Sequence, residues 1–310
     1  MERRNVKKLV RITAIVAAGA IVLAAAIALL GGLSGGLGGG PWFKGRYELE
    51  RKESASAEGV GRIVVETVSS DLIVARRNGG NLEAQLSGTA LTDREEALPR
   101  LELRREGDLL RVRVEHRPAF VFVPVPKLVL RVLLPQGYGR ELALSTVSGD
   151  IEVPDGSWAS LELKTTSGEV RAGAVKAERF ALRTVSGEVQ AVSIEAGSLE
   201  LASTSGDLRV AGLSGDLRAK SVSGRIDLAW SRLDDAVSVS STSGDVRLRL
   251  PAEASFRLDA RSTSGRLQCA FPIVLSGGPQ PGREALVGVV GSGSHPIQVR
   301  TVSGDIEIEK

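Results

Sequence analysis

A six-residue phrase, [Ser/Thr]-[Thr/Val]-Ser-Gly-[Asp/Glu/Arg]-[Val/Ile/Leu], recurs eight times in the last 165 residues of this 310-residue chain. The copies centre on Ser148-Gly149, Ser167-Gly168, Ser186-Gly187, Ser205-Gly206, Ser223-Gly224, Ser243-Gly244, Ser264-Gly265 and Ser303-Gly304. Successive spacings are 19, 19, 19, 18, 20, 21 and 39 residues, and the last reads as two periods. Near-copies stand at Ser214 and Ser69. A fixed period of this length marks stacked units, none of which can bury an apolar face alone.

Within one period, Ser160–Ala174, Leu161, Leu163, Thr165 and Ser167 share one parity, and after Gly168 the apolar parity passes to Val170 and Ala172. That slip predicts short strands joined by a corner, with glycine supplying backbone freedom. The serines at 148, 167, 186 and their equivalents are expected to stack inward as hydroxyl ladders. The fold class expected is all-β: a parallel β-solenoid (β-helix-like) of coils of about 19–20 residues, preceded by a single N-terminal transmembrane helix. Residues 60–310 would hold roughly 13 such coils, about 60 Å of stack.

Ile12–Leu30 is 19 residues without a charge, so as a helix it would cross about 28 Å of hydrocarbon. Arg3, Arg4, Lys7, Lys8 and Arg11 precede it against Glu2, a local charge of +4. The chain carries +3, so residues 12–310 carry 3 − 4 = −1, and the basicity belongs to the tail and not to a nucleic-acid face. Positive charge on that side puts the N-terminus in the cytoplasm and the rest outside. The length of the apolar run favours an uncleaved anchor over a cleaved signal peptide. The expected organisation is a cytoplasmic tail (1–11), a membrane span (12–30), a Gly-rich linker (31–45), an irregular N-terminal β section or cap (46–140) and a repeat solenoid (141–310). Leu101–Val114 alternates around Glu106-Gly107-Asp108 and predicts a hairpin. Val60–Val74 predicts one degenerate coil. Gly288–Ser294 predicts a turn before a last, charged coil with an exposed end.

The anchor, the irregular section closing on Val132-Leu-Leu-Pro135-Gln-Gly137, and the serial Thr-Val-Ser-Gly-Asp-Ile coils together resemble the bacterial putative-adhesin β-strand-repeat family. That family is a domain of unknown function found in cell-surface proteins and near envelope-stress genes. The resemblance spans residues 46–310. It implies a surface fold, and adhesion only through the family's label, with no catalytic residues to carry over.

The residues themselves suggest no enzyme. A serine nucleophile needs a base, and the two histidines, His116 and His295, lie outside the repeated phrase. Gly32-Leu-Ser34-Gly-Gly36 matches a nucleophile elbow by letters alone. After the glycines come Asp150, Glu169, Glu188, Asp207, Asp216, Arg225, Asp245, Arg266 and Asp305, an acidic column that calcium would suit. Arg171, Arg209, Arg218 and Arg247 two positions on offer counter-charge, so ion-pair ladders are preferred to a metal. Lone Cys269 reads as a small buried hydrophobe, and Trp158 and Trp230 as covers for corners. No cofactor or metal is expected.

The function expected is a non-enzymatic, membrane-anchored extracytoplasmic scaffold that binds an envelope protein, a glycan or another copy of itself. One alternative is an accessory or sensing part of a cell-envelope stress system acting through a membrane partner. The other is a polysaccharide-active enzyme on a β-helix, which the dispersal of one acid per coil disfavours.

Overall fold

The computed structural model describes residues 46–91, 98–115, 127–275 and 285–310. The predicted membrane span, tail and linker lie outside the described residues, as does His116. Among the described residues there is no helix, and so none long and apolar enough to cross a membrane.

All described secondary structure is strand. The N-terminal section contains β1 (Arg46–Ser56), β2 (Arg62–Glu66), β3 (Ser70–Arg77), β4 (Asn81–Leu91), β5 (Arg100–Glu106), β6 (Leu109–Glu115) and β7 (Lys127–Pro135). The repeats follow as β8 (Glu141–Ser145), β9 (Ile151–Val153), β10 (Gly156–Lys164), β11 (Val170–Arg183), β12 (Val189–Ala202), β13 (Leu208–Lys220), β14 (Ile226–Trp230), β15 (Val237–Ser240) and β16 (Val246–Arg249). The chain ends with β17 (Phe256–Ser262), β18 (Leu267–Cys269), β19 (Val274–Leu275), β20 (Ala285–Val290), β21 (His295–Thr301) and β22 (Ile306–Glu309).

Each coil carries one strand before the Ser-Gly corner and another after it, and coils pair in parallel. Val170 pairs with Val189 and Val189 with Leu208, a step of 19 residues each time. Before the corner the spatial order is β6-β2-β8-β10-β11-β12-β13-β15-β21-β17. These ten strands span about 43 Å, less than the sequence predicts. The difference lies in antiparallel pairings at the two ends: β1–β4, β4–β7 and β5–β6 at one, β17–β20 and β19–β20 at the other. The predicted hairpin is β5–β6, turning on Gly107 at φ 65°. The predicted degenerate coil is β2–β3, which pairs in parallel with both β6–β7 and β8–β9.

The inside is a set of aliphatic columns. Leu161, Phe180, Leu199, Leu217, Val237, Ile297 and Leu258 succeed one another in register, all buried. A narrow interior of this kind takes one branched side chain per strand position, which accounts for the aromatic content of only 4%.

Chain order and spatial order part company at the C-terminus. The last coil does not end the stack: β21 lies between β15 and β17, and β22 between β16 and β18. The 39-residue interval is therefore not two periods with a coil missing. Ser303 follows Ser243 in space, and Ser264 follows Ser303. The charges of Glu307 and Glu309 do not guard an edge, since β22 is paired on both sides. Residues 288–290, expected to begin a turn, belong to strand β20 (Ala285–Val290), and the turn is confined to Gly291–Ser294.

The corner glycines are needed for closeness and not for backbone freedom. None of Gly149, Gly168, Gly187, Gly206, Gly224, Gly244, Gly265 or Gly304 has a positive φ. A Cβ at Gly168 would overlap the carbonyl oxygen of Gly149, and one at Gly187 that of Gly168, and so along the stack. Gly168→Ala is expected to destabilise the chain by about 3 kcal/mol or more, because backbone cannot yield as a side chain does. Gly80→Ala, with open space at its Cβ, should stay within about 0.5 kcal/mol. Urea denaturation of both variants checks the contrast.

Candidate binding face

Three columns meet at the corner. The first residue of each phrase, Thr146, Thr165, Thr184, Ser203, Ser221, Ser241, Ser262 or Thr301, is buried. Its hydroxyl satisfies the glycine that follows: Gly149 N–H donates to Thr146 Oγ1 at 3.1 Å, and Gly168 N–H to Thr165 Oγ1 at 3.0 Å. Where the residue is Ser203 or Ser221, the hydroxyl donates to the carbonyl of Gly206 or Gly224 instead. A buried corner amide without a ladder partner would otherwise be costly.

The serines of the Ser-Gly pairs point outward. Ser148, Ser167, Ser186, Ser205, Ser223, Ser243, Ser264 and Ser303 are all exposed. The inward hydroxyl ladder thus lies two residues earlier than expected. Parity fails because the chain bends over residues 166–168 and their equivalents, ending the alternation at Thr165. The serine amides continue the ladder across the bend, with Ser167 N–H donating to Val147 O and Ser186 N–H to Thr166 O.

Between these columns runs the second residue of the phrase. The corner hydrogen bonds set its spatial order as Val68, Val147, Thr166, Val185, Thr204, Val222, Thr242, Val302, Thr263. From Val147 onward valine and threonine alternate at every step, a pattern visible only once the last coil is put in its true place. Val68, Val222 and Val302 are about half exposed, at 52%, 46% and 49%. The corner is a regular β-branched ridge flanked by hydroxyls.

The acids after the glycines have a structural task that the sequence reading missed. Asp71 Oδ1 accepts the N–H of Asp150, Asp150 Oδ1 that of Glu169, Asp207 Oδ1 that of Arg225, and Asp245 Oδ1 that of Asp305. Each short carboxylate caps the amide above it. The longer Glu169 and Glu188 pair with Arg171 and Arg209. Asp216 and Arg218 do not belong to these columns: they pair with Ser198 and Glu200, because Ser214-Gly215 lies inside β13 at another corner. A signal for the capping role was present, since the acid always directly follows the residue that must stack most closely.

Beside the corner, a shallow groove of about 500 Å3 is lined by Arg171, Gln190, Val192, Arg209 and Arg249. Its arginines are engaged: Arg171 with Glu169, Arg209 with Glu188 and Asp207, Arg249 with Asp227. Among the described residues no three His, Cys, Asp or Glu side chains converge to hold a metal. Cys269 is half-buried against the core, and burial pushes its thiol pKa up. Trp158 and Trp230 are both buried, Trp158 beneath the Arg76 guanidinium at 4.9 Å.

Asp305 has its carboxyl pKa lowered by the Arg266 backbone amide and guanidinium. A depressed pKa contributes stability above the unfolded value, about 4, and loses it as pH falls through the folded value. Asp305→Asn keeps an acceptor but not the charge. Its melting temperature should fall below the parent's at pH 7, and the gap should close in acid. Thr165→Val should cost about 1–3 kcal/mol by stranding the Gly168 amide, whereas Thr165→Ser should cost little. Chemical denaturation reads both.

The Toastrack DUF4097 family model matches residues 60–309. The chain belongs to that family. No curated protein matches it. Among solved structures, a putative adhesin from Parabacteroides merdae is 10% identical with a TM-score of 0.48, covering 84% of this chain and 96% of its own. A putative adhesin from Bacteroides fragilis is 12% identical at 0.46, over 84% and 97%. A putative lipid binding protein from Parabacteroides distasonis is 14% identical at 0.44, over 84% and 97%.

Proposed function

We propose that this member of the Toastrack family is a non-enzymatic binding scaffold, held at the membrane by Ile12–Leu30 and carried outside the cytoplasm. The supporting observation is what the polar groups are used for. Buried hydroxyls cap amides, short acids cap amides, and the arginines of the groove pair with acids, so the chemistry along the corner is spent on holding coils in register. What remains outward is a repeating, rigid surface: the Val/Thr ridge, its serine flank and the half-open groove.

Such a surface fits a ligand that is itself extended and repetitive, such as an envelope glycan or the flank of another envelope protein. Many weak contacts repeated at one spacing add up when the partner shares that spacing. The anchor rests on the uncharged run and its five preceding cations.

The full-length chain, tagged at its C-terminus and recovered from intact envelopes, should retain a reproducible envelope component. Val222→Glu with Val302→Glu should weaken that retention roughly tenfold while leaving the melting temperature within a few degrees. Retention unchanged by the ridge variants, or glycan turnover by the purified chain, would sink the reading. A reporter enzyme active only outside the cytoplasm, fused after Lys310, should be active; inactivity would overturn the topology.

A further inference from the structure

We propose that the C-terminal coil, residues 295–310, is exchangeable, and that its slot accepts the same coil from a second copy of this chain to give a coil-swapped dimer. The first ground is topological. This coil is inserted between two coils that precede it in sequence, so the slot is bounded by β15–β16 on one side and β17–β18 on the other. It must form by intercalation and not by simple addition at an end.

The second ground is that the slot recognises the coil through repeat chemistry. Gly304 stacks on the Gly244 carbonyl and Gly265 on that of Gly304. Ser303 N–H donates to Thr242 O, Ser264 N–H to Val302 O, and Asp305 N–H to Asp245 Oδ1. None of these bonds depends on which chain supplies residues 295–310. Two charge pairs then select this coil over any other. Arg247 Nε and Nη2 donate to Glu307 Oε2 at 2.9 and 2.7 Å, and Arg266 Nη2 donates to Asp305 Oδ2 at 2.8 Å.

The third ground is the hinge. β20 and β21 lie on opposite edges of β17, so the turn between them passes over the start of that strand. Gly291 and Gly293 take φ of 61° and 70° there. One side chain pins the turn: Ser255 Oγ accepts the N–H of Ser292 at 2.8 Å and of Gly293 at 3.1 Å. Opening this turn frees the coil with all its pairing groups intact. A swapped dimer restores every contact except those of the turn, which is the low-cost route to exchange.

The test uses full-length chains in detergent, all carrying Cys269→Ala. Arg247 and Glu307 are directly paired neighbours on adjacent parallel strands, about 4.8 Å apart and within disulfide reach. One tagged chain carries Arg247→Cys, and a differently tagged chain carries Glu307→Cys. They are refolded together at high concentration and oxidised. The expected product is a mixed disulfide between the two tags, while the chain bearing both substitutions closes within itself. Ser255→Ala, which removes bonds present only in the unswapped turn, should raise the mixed product roughly fivefold. Pairing Arg247→Cys with Glu152→Cys, far from the slot in the stack, measures random collision. The proposal is overturned if the doubly substituted chain closes but the mixed pair gives no more heterodimer than this control. Failure of the doubly substituted chain to close would equally overturn it, because the slot register would then be wrong.

Discussion

At the corner of each coil, the carbonyl oxygen of one glycine occupies the space where the next coil's side chain would begin. Backbones approach this closely only if no Cβ intervenes, so Gly149 through Gly304 form one uninterrupted column. The tight bend that follows leaves two amides per coil outside the strand ladders. In most coils the glycine amide finds the hydroxyl three residues before it, and where the preceding coil carries an aspartate after its glycine, that carboxylate accepts the next amide. The repeated phrase is therefore a single device, in which steric need at one position creates hydrogen-bonding need at its neighbours.

That device explains which parts of the fold could be read in advance. The period was legible because every coil must place the same groups at the same corner. Parallel pairing followed from it, and β11, β12 and β13 step by 19 residues as their spacing requires. The facing of Ser167 was not legible, because strand parity holds only while the chain stays extended and the bend begins at residue 166. The position of the last coil was hidden for a related reason. Ser243, Ser264 and Ser303 carry interchangeable phrases, so either of the later two can follow the first in space. Long-range contacts decide between them: β21 and β22 pair on both sides and bury Ile297, Val299, Ile306 and Ile308, and Arg247 meets Glu307 across the seam.

The charge columns show how a parallel stack tolerates its own regularity. Identical side chains recur about every 4.8 Å, and like charges at that distance repel. Here Asp71 and Asp150 bind amides and so spread their charge into the backbone, while Glu169 and Glu188 draw in Arg171 and Arg209. These pairs are largely exposed, so each contributes little to stability by itself. Their greater effect is on register: a one-residue slip would turn each side chain to the other face, part the acids from their arginines and leave the amides uncapped. The Val/Thr ridge is kept straight by the same means, which gives the outer surface its regular spacing.

Ser70 supplies the counter-case that shows the rule to be steric. It occupies the glycine slot in the β2–β3 coil, and its carbonyl receives Gly149 as any column member would. Yet it carries a side chain, buried and with Oγ lacking a partner among the described residues. The difference lies on the side its Cβ faces, toward the β6–β7 coil. There residues 116–126 separate the two strands, and no Ser-Gly phrase closes the corner. The phrase that supplies a glycine carbonyl to every later glycine is absent there from the sequence, and position 70 carries a side chain. Glycine in this fold is thus demanded by the coil below and not by the conformation of the residue itself, which is why the column begins at Gly149 and, once begun, has no exception up to Gly265.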